Sequence, residues 1–262
     1  MNHTFRLTFP SFSLRFVPVW RRNFLVWKKL AIPSLLGNLA DPLIVLFGLG
    51  YGLGTLMPQI EGVPYMNFLA AGMVCYSTMN SATFETLYSS FSRMHVQKTW
   101  DAIMNAPVAL NDIVFAELVW AACKSLLSGS AILLVVWLFG LTTSAAAWLV
   151  IPLAFLIGLT FAGMGLVMTS LSPSYDFFMY YITLITTPML ILSGVFFPVE
   201  QLPILFQTIA HLLPLTHAVE LVRPLMAGEW PKNIWLHIGV LLGYGGAGYS
   251  TALALMRKRL LK

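Results

Sequence analysis

Between Ser125 and Tyr175 the chain carries no aspartate, glutamate, lysine or arginine. A bilayer core of about 30 Å asks for roughly 20 apolar residues per helix, so this stretch accommodates two spans and a short connection. The rest of the sequence agrees: 58% of the 262 residues are hydrophobic and 10% are charged, against about 25% charged in soluble domains. The chain is therefore read as an all-α integral membrane protein with one transmembrane domain and no length for a further soluble catalytic domain. Apolar run lengths predict six spans, at Ile32–Leu56, Tyr65–Tyr88, Ile113–Leu138, Ala145–Leu171, Phe177–Phe197 and Asn233–Met256. The expected division is a 1–31 amphipathic segment, a 32–256 six-span core and a 257–262 basic tail.

Leu190–Pro224 does not fit a span. After Phe197-Pro198 come two apolar segments, Gln201–Leu213 and Thr216–Ala227, separated by Pro214. As helices they reach only about 18–20 Å, too short to cross. They predict a re-entrant helical hairpin carrying Phe197, Pro198, Glu200, Pro214, Glu220 and Arg223, tolerated where protein or a wet cavity satisfies its backbone. The alternative is a buried turn between two ordinary spans.

The first ten residues read as frayed. Arg6, Arg15, Arg21 and Arg22 interrupt any signal-peptide core, so no signal peptide is expected. From Val19 to Ala31, Trp20, Phe24, Trp27 and Ala31 form one stripe of a helix, with Arg21, Arg22, Lys28 and Lys29 on the opposing arc. Such a helix lies along a membrane surface. Counted on alternate sides of the six spans, twelve lysines and arginines fall with the two termini and the span 2–3 loop. Two, Arg223 and Lys232, fall opposite, beside Glu61, Glu200, Glu220 and Glu229. This asymmetry predicts cytoplasmic termini and an outward hairpin. It also assigns the net charge of +5 to the membrane and not to nucleic acid.

Catalytic patterns are missing. The sequence has no G-x-x-x-x-G-K-[ST] for nucleotide phosphates, no H-E-x-x-H and no G-x-S-x-G. Cys75 and Cys123 lie in apolar runs without metal-ligand spacing. His211 and His217, six apart, read as structural or interfacial, and no metal-ligand set is assigned. The pairs Gly48/Gly52 and Gly50/Gly54 read as close helix packing, with a ligand loop as the alternative.

Two features remain. In Ser92–Pro107, Val96, Trp100, Ile103, Met104 and Pro107 recur at helical spacing against Arg93, Gln97, Lys98, Asp101 and Asn105. This predicts a short amphipathic helix, either resting on lipid or gripped by a soluble partner. Asp41, Glu85, Glu117 and Lys124 are charges within or at the edges of spans, where each costs about 2.5–3.5 kcal/mol at mid-bilayer. Glu117 and Lys124 share one side of span 3 about 10 Å apart in rise and are expected to bond to other spans rather than to each other. Asp41 is expected to bond backbone donors freed where Pro42 breaks the helix, and Asn111 or Asp112 to cap span 3.

Across nearly the whole chain from about residue 16, the segments NFLVWKK (23–29), GNLADPLIVLFGLGYGLG (37–54), FLAAGMV (68–74), FETLYSSFSRM (84–94), SPSYD (172–176), LSGVFFPVEQLP (192–203) and HLLPLTHAVELVRP (211–224) carry a resemblance. They resemble the type-2 ABC transporter permeases, and within them the nodulation protein J family of lipo-oligosaccharide exporter membrane subunits. The resemblance implies two permease copies paired with two copies of a separate ATPase, which would hold ATP and Mg while this chain binds no cofactor. It implies that Ser92–Pro107 is a coupling helix, with Arg93, Lys98, Trp100 and Asp101 toward the ATPase. It also implies export across the bacterial inner membrane of an acylated oligosaccharide or a saccharide on a lipid carrier, with Tyr51, Tyr65, Trp120, Tyr180 and Tyr181 as stacking faces. Aromatic belts at the membrane interfaces are the alternative for these rings. Competing readings are a small amphiphilic drug or toxin as cargo, an intramembrane lipid-modifying enzyme and a membrane scaffold.

Overall fold

The computed structural model describes residues 14–60 and 62–261. The expected fraying of residues 1–10, and Arg6, Glu61 and Lys262 of the charge asymmetry, lie outside the described residues. Helix α1 (Phe16–Lys28) turns at Lys29-Leu30 into α2 (Ala31–Gly52), and Trp27 Nε1 donates to Ser34 Oγ across the corner at 3.0 Å. Helix α2 continues through Pro42. The expected break there is corrected: Asp41 accepts a 2.6 Å bond from the Tyr76 hydroxyl instead of capping freed backbone. A two-strand hairpin, β1 (Gln59–Ile60) with β2 (Val63–Pro64), pairs Gln59 with Pro64 and Ile60 with Val63. It leads into α3 (Tyr65–Phe84), which runs on through π-helical turns Glu85–Ser90 and Ser92–Val96.

After a sharp elbow come α4 (Thr99–Met104), α5 (Leu110–Leu138) and α6 (Val150–Leu171). The α5 start is closed by Asp112, which accepts from the Ala109 N–H at 3.2 Å; Asn111 instead accepts from Arg257 at 2.9 Å. Helices α7 (Phe177–Tyr181) and α8 (Thr187–Leu192) are joined by a π turn. Their apolar run ends at Leu192, not Phe197, because Gly194 at φ +74° turns the chain. Helices α9 (Ile204–Ala210) and α10 (Pro214–Ala227) follow, bent 83° from one another. Pro214 opens α10 and does not merely separate two segments; its missing N–H falls at a position that has no helical partner. Gly228 at φ +88° closes α10, and α11 (Ile234–Leu260) completes the bundle.

Among the described residues four helical segments are long and apolar enough to cross a membrane: Ala31–Thr55, Leu110–Leu138, Ala145–Leu171 and Ile234–Leu260, with the bent α9–α10 pair as a fifth if it counts as one. The predicted second span is absent from that set because the second half of α3 is polar, with Tyr76, Ser77, Thr78, Asn80 and Ser81. It is also the helix most enclosed by protein, packed on α2, α5, α6 and α10. A helix whose neighbours are other helices has no need of a fully apolar surface. The predicted fifth span is the short run Phe177–Leu192, about 24 Å at 1.5 Å per residue.

Between α6 and α11 the backbones touch. A Cβ placed on Gly163 would lie 2.7 Å from the Gly245 carbonyl oxygen, and one on Gly248 would lie 2.6 Å from the Gly163 carbonyl carbon. Such approach exposes Thr160 Oγ1 to the Leu241 carbonyl, which accepts at 3.0 Å. By contrast Gly48 and Gly52 meet nothing within 4 Å, so their expected close packing does not occur within the described chain. Gly163→Val is therefore expected to lower the melting temperature of the detergent-purified chain, overpacking costing about 1–3 kcal/mol. Gly243→Ala, on open helix surface, is expected to leave it unchanged or raise it. Equal melting of the two variants would contradict the close α6–α11 contact.

Candidate functional site

Where α3 widens into its π turns, four charged side chains are held together. Glu85 and Arg93 are eight residues apart, which at 3.6 residues per turn overshoots two turns by about 80°. The π turns, each hydrogen-bonded one residue further along than an α turn, take up that excess. Arg93 Nη2 then donates to Glu85 Oε1 at 2.8 Å. Its Nε donates to Glu117 Oε1 on α5 at 2.9 Å, and Nη2 also bonds Glu117 Oε2. Lys124, two turns along α5, donates to Glu85 Oε2 at 2.8 Å. The expectation that Glu117 and Lys124 bond to other segments rather than to each other agrees with this geometry.

Both carboxylates are almost fully buried, at 3% and 1% exposure, so two anions face two cations and each oxygen is occupied. Trp120 Nε1 donates to Glu85 at 2.9 Å, Ser90 Oγ to Glu117 at 2.6 Å, and Asn23 Nδ2 on α1 to Glu117 at 3.1 Å. The cluster thus ties α1, α3 and α5 at one point. The α1 stripe packs here too: Trp20, Phe24 and Trp27 surround the Trp120 ring at 6.4, 6.3 and 5.8 Å between centroids. This aromatic stripe, expected to face lipid, faces α5. Arg22 joins through Asn23 at 3.1 Å; burial and the nearby Arg93 lower its guanidinium pKa, with Glu117 pulling the other way.

Directly below lies the elbow. The single amphipathic helix expected over Ser92–Pro107 is replaced by the end of the α3 extension, a reversal at Lys98 (φ +53°) and the short α4. Of the four residues expected to face a partner, Lys98 and Asp101 are exposed. Arg93 is engaged by the two carboxylates, and Trp100 is fully buried at 0%. These two are corrected: an arginine within reach of two buried carboxylates is pulled inward, and an indole on the apolar face of so short a helix is covered by the bundle. Beside the elbow a cavity of about 440 Å³ is lined by Arg22, Asn23, Tyr88, Arg93, Gln97 and Tyr175, among others; Tyr88 and Tyr175 are stacked at 6.0 Å.

The five aromatics proposed as stacking faces are not brought together. Tyr65, Trp120 and Tyr181 are buried and offer no open ring face, which corrects that expectation for them. Tyr51 and Tyr180 are each 65% exposed, on α2 and α7. In the hairpin, Arg223 reaches back to the Gly194 carbonyl and lies 3.6 Å over the Phe68 ring, pinning α10 to the start of α3. Phe197 and Pro198 sit in the turn before it and Glu200 is exposed. His217 meets His237 of α11, twenty positions further on, a contact that this separation hid from the sequence. Asn23 was also missed: a lone asparagine in a basic amphipathic helix carries no pattern.

Glu117→Ala is expected to destabilise the chain by about 3–5 kcal/mol, because it leaves the largely buried Arg93 and Lys124 sharing one carboxylate, Glu85. The readout is a thermal melt in detergent, with Glu229→Ala, at an exposed position, as the silent control. A Glu117→Ala melt matching wild type would contradict the cluster's structural role.

A family model described as "ABC-2 type transporter" matches residues 15–227. Nodulation protein J of Rhizobium leguminosarum bv. viciae is 49% identical over 255 residues, covering 97% of this chain and 98% of that protein. Nodulation protein J of Bradyrhizobium diazoefficiens is 47% identical over 262 residues, covering 100% of each. The inner membrane transport permease YadH of Escherichia coli K12 is 21% identical over 241 residues, 92% of this chain and 93% of that one. With the all-helical membrane fold, these similarities establish that the chain belongs to the ABC-2 type transporter family, among the nodulation protein J homologues.

Proposed function

We propose that this chain is the membrane-spanning subunit of an exporter driven by ATP hydrolysis on a separate ATPase. Two copies of the whole chain, each one permease domain, would pair with two ATPase copies that hold ATP and Mg. Six crossings are α2, α3 with its π extension, α5, α6, α7–α8 and α11. Both termini and the elbow lie on the cytoplasmic side of the bacterial inner membrane, and the α9–α10 hairpin lies outside. The observation that carries this reading is the elbow itself. It is short, exposes Lys98 and Asp101, and is rooted in an ion cluster joining three helices, so a push on α4 would be delivered to α1, α3 and α5 together.

The cargo that fits the resemblance is an acylated oligosaccharide or a saccharide on a lipid carrier. The cavity beside the elbow supports it: Arg22, Gln97 and a tyrosine stack offer hydrogen bonds and a flat face to sugar rings. A small amphiphilic drug, with fewer hydroxyls than an oligosaccharide, would leave more of those polar groups unmatched.

Lys98→Glu with Asp101→Lys is expected to leave insertion intact and abolish recovery of ATPase activity when the tagged chain is drawn from its native membranes in mild detergent. Export of the surface or secreted glycan should fall with it. Normal co-purification and export in that double variant would sink the coupling assignment. Drug sensitivity without glycan loss on deletion of the chain would sink the cargo assignment alone.

A further inference from the structure

At the end of the bundle away from the Arg93 cluster, α10 and the first turn of α11 line a cavity of about 780 Å³. Three side chains meet at its wall: His217 and Glu220, one turn apart on α10, and His237 on α11. A ligand atom of each lies within 4.8 Å of those of the other two. The histidines are 7% and 6% exposed, and Glu220 is open to the cavity at 40%.

The hydrogen bonds dictate where the ring protons sit. His217 Nε2 is 3.0 Å from the backbone carbonyl oxygen of His211, an atom that can only accept. Nε2 therefore carries the hydrogen, and the Nδ1 of a neutral ring presents a lone pair. That lone pair faces His237 Nδ1 at 2.8 Å, which must then be the N–H. A neutral His237 is left with a lone pair on Nε2, and 3.2 Å from it stands the Glu220 carboxylate oxygen Oε2. A lone pair facing an anion is repulsive. The three groups together lack one positive centre.

We propose that His217, Glu220 and His237 form a binding site for a divalent transition metal of the zinc type. Two imidazoles and one carboxylate are a donor set that zinc takes with a fourth position left for water, and the cavity supplies that water. For a metal on a single His237 nitrogen only one of these separations is a ligand–ligand edge, 2.8 Å to His217 through Nδ1 or 3.2 Å to Glu220 through Nε2, against the roughly 3.3 Å expected between ligands at about 2.0–2.1 Å from a tetrahedral zinc. The three ligand atoms lie within 4.8 Å of one another, so side-chain rotations close the remaining edge. The His211 carbonyl supplies the outer contact that orients a ligating imidazole through its other nitrogen. On binding, the metal takes one nitrogen of His237 and the ring keeps its hydrogen on the other. Since α10 belongs to the bent hairpin and α11 to a long membrane helix, the metal would fasten the hairpin to the bundle at the mouth of the cavity.

The test uses the full chain, purified in detergent with a tag free of histidine, titrated with Zn²⁺ against a chromophoric chelator and with Co²⁺ by visible absorption. One metal per chain is expected, with an intense tetrahedral Co²⁺ band. His217→Gln, His237→Gln and Glu220→Gln should each weaken Zn²⁺ binding by more than about tenfold. His211→Ala, which keeps the backbone carbonyl, should bind as wild type does. Glu220, being half-exposed, provides a variant that folds if the buried histidine variants do not, and melts in chelator verify each fold. Substoichiometric zinc at micromolar free metal would overturn the proposal, leaving a proton as the missing positive centre. Unchanged affinity in Glu220→Gln together with whichever histidine variant folds would overturn it as well.

Discussion

Two carboxylates buried in a membrane bundle are the constraint around which the rest is arranged. Glu85 and Glu117 are withdrawn from water, and an unpaired buried charge of that kind costs several kcal/mol. Arg93 and Lys124 neutralise them, and Asn23, Ser90 and Trp120 add hydrogen bonds to oxygens that Arg93 already contacts. For this to happen α3 must depart from α geometry, α1 must fold back onto α5, and the chain must reverse at Lys98. The elbow's position follows from the pairing.

The two ends of the bundle solve different problems. At the Arg93 end, charge is compensated by charge across three helices. At the other end, irregular backbone is the difficulty: the turn after α8 and the bend between α9 and α10 leave carbonyls outside helical ladders. Side chains return to them. Arg223 bonds the Gly194 carbonyl, Thr216 Oγ1 donates to Ala210 O at 2.7 Å, and Tyr244 donates to Leu212 O at 2.8 Å. Non-helical backbone within such a protein persists only where partners of this kind satisfy it.

Between the ends, contact depends on small side chains. Helices α6 and α11 approach until backbone meets backbone at Gly163 and Gly248, as expected where lipid gives helices no hydrophobic reason to associate and close packing must do so. The surface of α2 differs. Its Gly48 and Gly52 face open space, and its span is the least enclosed of the four long apolar segments, at 11% buried.

By itself the sequence determined the helices, the apolar segments, the amphipathic start and the broken region before the last helix, because each rests on local composition and periodicity. Ser125–Tyr175 could form little except two apolar helices, and Pro214 marked the bend to within a turn. The sequence also named Glu85, Glu117 and Lys124 as costly charges. Only the tertiary structure decided their partners. Whether Arg93 points outward or inward depends on a π-helical rotation and on α5 lying opposite, neither of which has a local signature. Trp100 repeats at a spacing that fits a lipid-facing stripe as well as a buried one, and the fold buries it. His237 meets His217 because α10 and α11 pack together. Pairing across helices is a property of distance in space, and periodicity along the chain carries no measure of it.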